Sequence, residues 1–441
     1  MFENIDENIL AQGREHLMSG SVGGGLPIII ESGKGAVVKD VNGKEYIDCT
    51  SQAWSFNIGF SHPRVLEAVR EQLDKITHVR TSFETVVKLL LAKKLGDIAP
   101  ESLKKIMFSL HGSISIESAL KLAMTNRPGA TKFVTVYNNY SGRTLATIAA
   151  SWPYHPISRL FPTFMQNFVR IPNAYCYRCH YGLTYPDCNL FCADFLKTTL
   201  EHGAEPVAAV IMEPFQAHGG MIEYPQGYLP RIKEICAEMG VLLILDEIQT
   251  GFGRLGAMFA SQLYGAVPDL LVFGKALGGG FPIAGVLQRE DLNPPEPATD
   301  SFTFAHFPIS FAASCATLDV IKEENLLEKC RNIGKYFTAG LRKLQEKYDI
   351  IGDIRGPGLM IGIELVKDRK TREKASDVTH SIVKEAIDDG VIFGESLFKG
   401  LGNVLKIKPP MVITESQADS VLQVFEKHIK KHSDRLAREK G

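Results

Sequence analysis

The chain has almost no excess of charge of either sign: 49 lysines and arginines oppose 50 aspartates and glutamates, a formal net charge of -1. Without a one-signed field it has no long-range means of gathering nucleic acid or an anionic membrane. Small molecules and other subunits are the expected partners. No apolar run is long enough to span a bilayer, and the acidic start "MFENIDENIL" lacks the basic and apolar regions of an export signal. A cytoplasmic protein is the expectation. Internal repeats and low-complexity tracts are also missing, and 45% apolar with 22% charged residues is an ordinary globular balance. Disorder and collagen-like structure are excluded.

Cysteine is not scarce, but the eight present in a chain without an export signal are expected as thiols or metal ligands, not a disulfide framework. Four of them cluster in "CYRCHYGLTYPDCNLFC". Cys176 and Cys179 form a C-x2-C pair, and Cys188 and Cys192, four apart, would share a helix face. Four thiolates in seventeen residues suggest a structural zinc, against the plainer reading of a loop with buried thiols.

Hydrophobic periodicity gives the organisation. "GAVVKDVNGKEYIDC" alternates about an Asn-Gly pair and predicts a hairpin with a two-residue turn. "SHPRVLEAVREQLDKI" predicts a helix capped by Ser61 with Pro63 in its first turn. From about residue 105 to 290, apolar strands such as "KIMFSL", "KFVTVY", "PVAAVIMEP", "VLLIL" and "PDLLVF" alternate with amphipathic helices. That is the pattern of a mostly parallel sheet covered on both faces, which binds ligands beyond the carboxyl ends of its strands. Further on, "FAASCATLDVIKEENLLEKCRNIGKYFTAGLRKLQEKY" reads as long helix, and "LMIGIELV", "VIFGES" and "VLKIKPP" as strands of a smaller α+β unit. The expected division is an N-terminal segment, 1–60, packing with the small domain, a large domain over 61–310, and the small domain over 311–441.

Chemistry gathers where the strands end. Glu213 follows "AAVIM", Asp246 closes "VLLIL", and Lys275 follows "LLVFG" just before three glycines. An ionised carboxylate at the end of a buried strand needs a cation or donors. The GxxxxGK[ST] phosphate loop is absent. "GFGRLG" (251–256) matches GxGxxG but fails its context: four residues separate it from Asp246, and Asp269 precedes the next strand instead of closing it. In "SLHGSISIESALKLA" a strand passes through Gly112 and Ser113 into a helix, where free N–H groups and a hydroxyl suit a phosphate. An amine, an acid and a phosphate cradle together fit pyridoxal phosphate, which needs an amine to attach to, an anion at its ring nitrogen and donors for its phosphate.

In this order "NIGFSHP", "MEPFQAHGGM", "LILDEIQTGFGR", "FGKALGGGFPIAGV" and "LKIKPP" resemble the class III aminotransferases, the 4-aminobutyrate and ornithine aminotransferase group of fold type I pyridoxal phosphate enzymes. The resemblance implies Lys275 as the Schiff-base lysine and Asp246 as partner of the ring nitrogen. It further implies Gln249 at the ring hydroxyl, Ile248 and Tyr140 on the two ring faces, Gly112 and Ser113 at the phosphate, and Glu213 as a supporting acid. Thr303 would reach the phosphate of a neighbouring subunit, implying a homodimer with shared sites.

Departures from the family pattern bear on the substrate. Where many relatives have an arginine in "LRIxPP" gated by a glutamate in "QGEGG", this chain has Lys406 and His218. A lysine holds an anion as a point charge, without arginine's fork. Ser141 stands where relatives have histidine, while Arg143 is kept and can hold a carboxylate or sulfonate. Trp54, just before "NIGFSHP", is a candidate pocket residue. The expectation is an aminotransferase that moves an amino group from a short amine with a distal acid group, of the 4-aminobutyrate, β-alanine or taurine type, to 2-oxoglutarate or pyruvate. Amino-acid racemisation or epimerisation, dialkylglycine-type decarboxylation and phosphoethanolamine-type elimination stay open as alternatives. Glu247, beside Asp246, has no role at this level.

Overall fold

The computed structural model describes residues 7–18, 28–100, 102–152, 167–203, 206–396 and 402–440. Its centre is a seven-stranded sheet in the spatial order Leu103–Ser109, Ala284–Arg289, Leu270–Phe273, Leu242–Asp246, Val207–Met212, Lys132–Val136 and Phe168–Ile171. Ala284–Arg289 runs antiparallel to both neighbours, and the remaining pairs are parallel. The mostly parallel sheet read from the sequence is therefore present. Two of its strands, Phe168–Ile171 and Ala284–Arg289, were not anticipated.

Strand side chains alternate between two apolar layers. Leu243 and Leu245 join Val210 and Met212 against Tyr228, Ile232 and Ile235 of the helix Tyr228–Glu238. Leu242 and Ile244 face the other way, onto Ile116, Ala119 and Leu120 of the helix Gly112–Asn126. Burial on both faces explains why these strands are unbroken apolar runs.

A second sheet pairs the N-terminal strands Ile30–Lys34, Val37–Asp40 and Glu45–Asp48 with Val391–Ile392, the last pairing being parallel. A third contains Ile351–Arg355, Ile361–Asp368, Val404–Ile407 and Gly394–Glu395. The expected boundary near residue 310 lies within the first turn of the helix Pro308–Glu323.

Three local expectations need correction. The hairpin at Asn42-Gly43 forms, but Asp40 N bonds Lys44 O and Gly43 N bonds Asp40 O, so its loop has three residues, not two. The Asp40 carboxylate fixes that loop by accepting Asn42 N and Lys44 N, each at 2.9 Å. Ser61 does not cap the helix Pro63–Leu73: it has φ 51° and His62 occupies the N-cap, so Pro63 alone sets the helix start. The long C-terminal helix is two, Pro308–Glu323 and Leu326–Lys347, broken at Asn325 with φ 52°. Asparagine tolerates the left-handed region better than other side chains, and helical periodicity on both sides hides such a break.

Candidate active site

Parallel strands bring their carboxyl ends to one edge, and with them the residues that close them. A cavity of about 490 Å³ opens there, lined among others by Trp54, Gly112, Ser113, Tyr140, Arg143, Glu213, His218, Asp246, Ile248, Gln249 and Lys275. Eleven of the thirteen residues singled out from the sequence for cofactor and substrate thus meet in one space. Thr303 is exposed and outside this list, and Lys406 is buried behind it, 1% exposed.

Asp246 is 6% exposed and its Oδ1 accepts Ile248 N at 3.0 Å. Burial pushes this carboxyl upward, while the Ile248 N–H and the Lys275 amine pull the other way. Lys275 stands just beyond its strand with φ 45°, and burial lowers its amine, opposed by the charges of Asp246 and Glu213. An amine so lowered is neutral often enough to act as a nucleophile and proton carrier. Glu213, 3% exposed, is pushed up to about 8 by burial and by Asp246. Its two oxygens accept Tyr140 N and Ala217 N, each at 3.1 Å. Its work is to hold Tyr140 at the cavity wall.

Opposite, the fifteen-residue helix Gly112–Asn126 presents its N-terminus to the cavity, which Gly112 and Ser113 line. His111 Nδ1 accepts Ser113 N at 3.2 Å, and Ser113 Oγ accepts Arg143 N at 3.1 Å. Gly142 cannot be replaced here: its φ is 139°, and a Cβ would lie 2.3 Å from Ser113 Oγ. Gly280 has φ 104° and a Cβ there would sit 2.5 Å from the Phe56 ring, so the glycine run after Lys275 serves packing as well as access.

Trp54 reaches the cavity by an unexpected route. Ser51, Gln52, Ala53 and Trp54 all have positive φ, between 43° and 69°, and Trp54 N and Ser55 N bond the carbonyls four residues back. This is one turn of left-handed helix, which costs roughly 1–2 kcal/mol per non-glycine residue. Buried Asp48 offsets that cost by accepting Thr50 N at 2.7 Å, Thr50 Oγ1 at 2.6 Å, Gln52 N at 3.0 Å and Gln52 Nε2 at 3.2 Å. The turn carries the Trp54 ring to Lys275, whose Nζ lies 4.8 Å from the ring centroid. Arg254, fully buried, clamps the turn by donating to Ser51 Oγ (3.1 Å), Asn57 Oδ1 and Pro409 O. This is what the glycine-rich "GFGRLG" does.

Glu247 also gains a role. Fully buried, it accepts Ala260 N at 2.6 Å, Ser261 N at 2.8 Å and Thr250 Oγ1 at 3.0 Å, holding the start of the helix Ala260–Leu263. Glu247→Ala orphans two buried N–H groups, so the free energy of unfolding in urea is expected to fall by about 2–4 kcal/mol. A loss under about 0.5 kcal/mol would contradict this role.

The zinc expectation is not met. Helix Phe191–His202 begins after Cys188, so Cys188 and Cys192 do not share a helix face. Among the described residues no group of three or more His, Cys, Asp or Glu side chains is arranged to hold a metal ion. Burial and the neighbouring cysteines push Cys176 up to about 11 and Cys192 up to about 12, so these are thiols in the metal-free protein. The loop is fixed instead by Arg178 Nε donating to Glu364 at 2.5 Å and by Tyr175 donating to the same carboxylate.

Whether the cavity fits pyridoxal phosphate can be judged on its own atoms. It offers an amine, a buried acid within a charge interaction of it, and a helix N-terminus for a phosphate. Gln249 Oε1 is buried with no hydrogen-bond partner among the described residues, a polar group awaiting a ligand. The donor set fits. The class III aminotransferase profile matches residues 20–429. The chain belongs to the class III aminotransferase family. It is 35% identical over 407 residues to a leucine/methionine racemase of Thermococcus litoralis, covering 91% of this chain and 90% of that one. It is 34% identical over 429 residues to the 5-aminovalerate aminotransferase DavT of Pseudomonas putida, covering 95% and 97%. A solved omega transaminase of Pseudomonas jessenii in complex with PMP superposes with a TM-score of 0.85 at 28% identity, over 93% and 94% of the two chains. The fold is that of the pyridoxal-phosphate-dependent transaminases. Among the described residues no helix is long and apolar enough to cross a membrane.

Two features at or behind the cavity are not apparent from the sequence. His111 both caps the helix Gly112–Asn126 and lines the cavity. Lys408 is 2% exposed, with Nζ 3.3 Å from the Trp54 ring centroid. The alternation in "LKIKPP", which puts 406 and 408 on one face of a strand, was the available signal.

Proposed function

We propose that this enzyme moves an amino group from a short amine with a distal acid group, of the 4-aminobutyrate, β-alanine or taurine type, to 2-oxoglutarate or pyruvate. The observation that carries it is the meeting of Lys275, Asp246 and the start of helix Gly112–Asn126 in one cavity together with Arg143, an exposed cation free of any ion pair among the described residues. When bound, pyridoxal phosphate supplies a carbonyl for amines and a ring that takes up the electron pair of a broken substrate bond.

The chain's own residues do the rest. Lys275 Nζ would be the amine that holds the cofactor and, once freed by a substrate amine, would take and return the substrate carbon's proton. Asp246 would place a negative charge at the ring nitrogen, and a cation there would favour the ionised form of its carboxyl. Gly112 and Ser113 would hold the phosphate, Tyr140 and Ile248 would cover the two ring faces, and Gln249 would donate to the ring hydroxyl. Arg143 Nε donates to Tyr140 Oη at 3.3 Å, which leaves its remaining N–H groups for a substrate acid. His218, with its ring 4.5 Å from that of Tyr140, closes the inner wall.

A homodimer with shared sites is part of the same reading, with Thr303 reaching the partner's phosphate. Exposed apolar side chains support it: Phe83, Val86, Leu89 and Phe304 are each at least half exposed.

The racemase relative makes the reaction type the point to test. An amine-donor screen with and without keto acid is expected to give one turnover per site without acceptor and continuous turnover with it. Continuous turnover without any keto acid would overturn the reading in favour of racemase, decarboxylase or lyase chemistry.

A further inference from the structure

The helix Gly112–Asn126 presents its N-terminus to the cavity, and its later turns hold a different part of the chain. Asn126 Nδ2 donates to Asn293 O at 3.0 Å and Asn126 Oδ1 accepts Asn293 N at 2.8 Å, so one side chain pairs both backbone groups of a distant residue. On the same helix, Lys121 Nζ donates to Asp300 Oδ1 at 2.5 Å and lies 5.5 Å from the centroid of the Phe302 ring. Asn293, Asp300 and Phe302 all belong to "EDLNPPEPATDSFTFAHF", the connection 290–307 between the strand Ala284–Arg289 and the helix Pro308–Glu323. Its three prolines have no N–H to donate, so contacts from outside largely set its path.

The Asp300 side chain is 1% exposed, and its Oδ2 is buried with no hydrogen-bond partner among the described residues. A buried carboxylate is unfavourable without a cation beside it, so the Lys121 ammonium is what keeps Asp300 inside. Further along, Thr81 Oγ1 and Ser301 Oγ lie 2.9 Å apart, and Ala305 N donates to Phe302 O at 3.0 Å, closing a tight turn over Thr303 and Phe304. Both of these residues are exposed, and neither lines the chain's own cavity. One helix thus meets the cavity at Gly112 and Ser113 and, from Lys121 and Asn126, fixes a turn that lies outside it.

We propose that Lys121 and Asp300 are positioning residues for the neighbouring subunit's cofactor: their ion pair fixes the turn 302–305 so that Thr303 meets the phosphate bound in the partner's cavity. Loss of the Lys121 charge sends the Asp300 carboxylate toward water and shifts Thr303 with it. The damage then falls in the partner's site, while the altered chain's own site is still served by an intact neighbour. This rests on the homodimer reading and deepens it by naming what aims Thr303.

The test uses hybrid dimers of differently tagged chains, one of which carries Lys275→Ala so that the visible band of bound cofactor reports the other site alone. The loaded hybrid is diluted stepwise, and the dissociation constant of pyridoxal phosphate is read from the loss of that band. With Lys121→Met placed on the Lys275→Ala chain, the reporting site receives Thr303 from the altered chain, and the constant is expected to rise at least about fivefold. With Lys121→Met on the reporting chain itself, it should stay within about twofold. Asp300→Asn should follow the same pattern, and Lys121→Arg, which keeps the charge, should restore most of the affinity. A merely structural defect stays with the altered chain. A rise confined to the reporting chain, an equal rise in both arrangements, or none in either would therefore overturn the proposal. Thr303→Ala on the Lys275→Ala chain separates it from the reading beneath: an unchanged constant there, or a protein with the mass of one chain, sinks the shared-site homodimer and the proposal with it. A raised constant with Thr303→Ala but not with Lys121→Met sinks the proposal alone.

Discussion

Lys275→Ala is expected to lose amino transfer by at least about 10⁴-fold, because the variant lacks the group proposed as both attachment point and proton carrier. The fold should survive, since the residue ends a strand whose packing comes from Leu270, Leu271, Val272 and Phe273. Among the described residues the other candidate groups are already held elsewhere. Glu213 is held by two backbone N–H groups, and Lys406 and Lys408 are drawn toward His218 O and the Trp54 ring. Steady-state rates with a saturating donor and keto acid check this, and activity within about a hundredfold of the unmodified enzyme would mean that another residue carries the proton.

Asp246→Asn is expected to lower kcat by about 10²–10³-fold, with a smaller effect on cofactor affinity. The substitution keeps the shape and the acceptor for Ile248 N, so stability should change little. It removes the negative charge proposed to meet a cationic ring nitrogen. Charge, not bulk, is therefore being tested. A variant with nearly full kcat would show that the carboxylate serves only to hold Ile248, and comparison with Asp246→Ala, which also loses that hydrogen bond, separates the two contributions.

What could be read from the sequence follows from where the information lies. Asp246, Glu213 and Lys275 were legible because each interrupts or follows an apolar strand, and parallel strands bring their ends together whatever the loops do. The helix start at Gly112 was legible for the same reason. Trp54 could be named but not placed, since its position depends on four left-handed residues imposed by Asp48, against their intrinsic preference. Lys408 does not stand at the position matching the family arginine in "LKIKPP", although the period of two aligns it with Lys406. The cysteines misled through spacing alone: Cys188 lies before the helix start, so i, i+4 geometry never applied. Glu247 and Arg254 had no readable role because their partners, Ala260 N and Ser261 N for one, Ser51, Asn57 and Pro409 for the other, are set by tertiary packing.

The central claim is that Lys275 is the amine to which the cofactor attaches, and the fold makes the claim demanding, because two more buried amines share its surroundings. Borohydride reduction of the holoenzyme followed by peptide mapping tests it directly. The account predicts loss of the visible band and one pyridoxyl group per chain, on the peptide containing Lys275. A pyridoxyl group on Lys406 or Lys408, or none on any lysine, would contradict it.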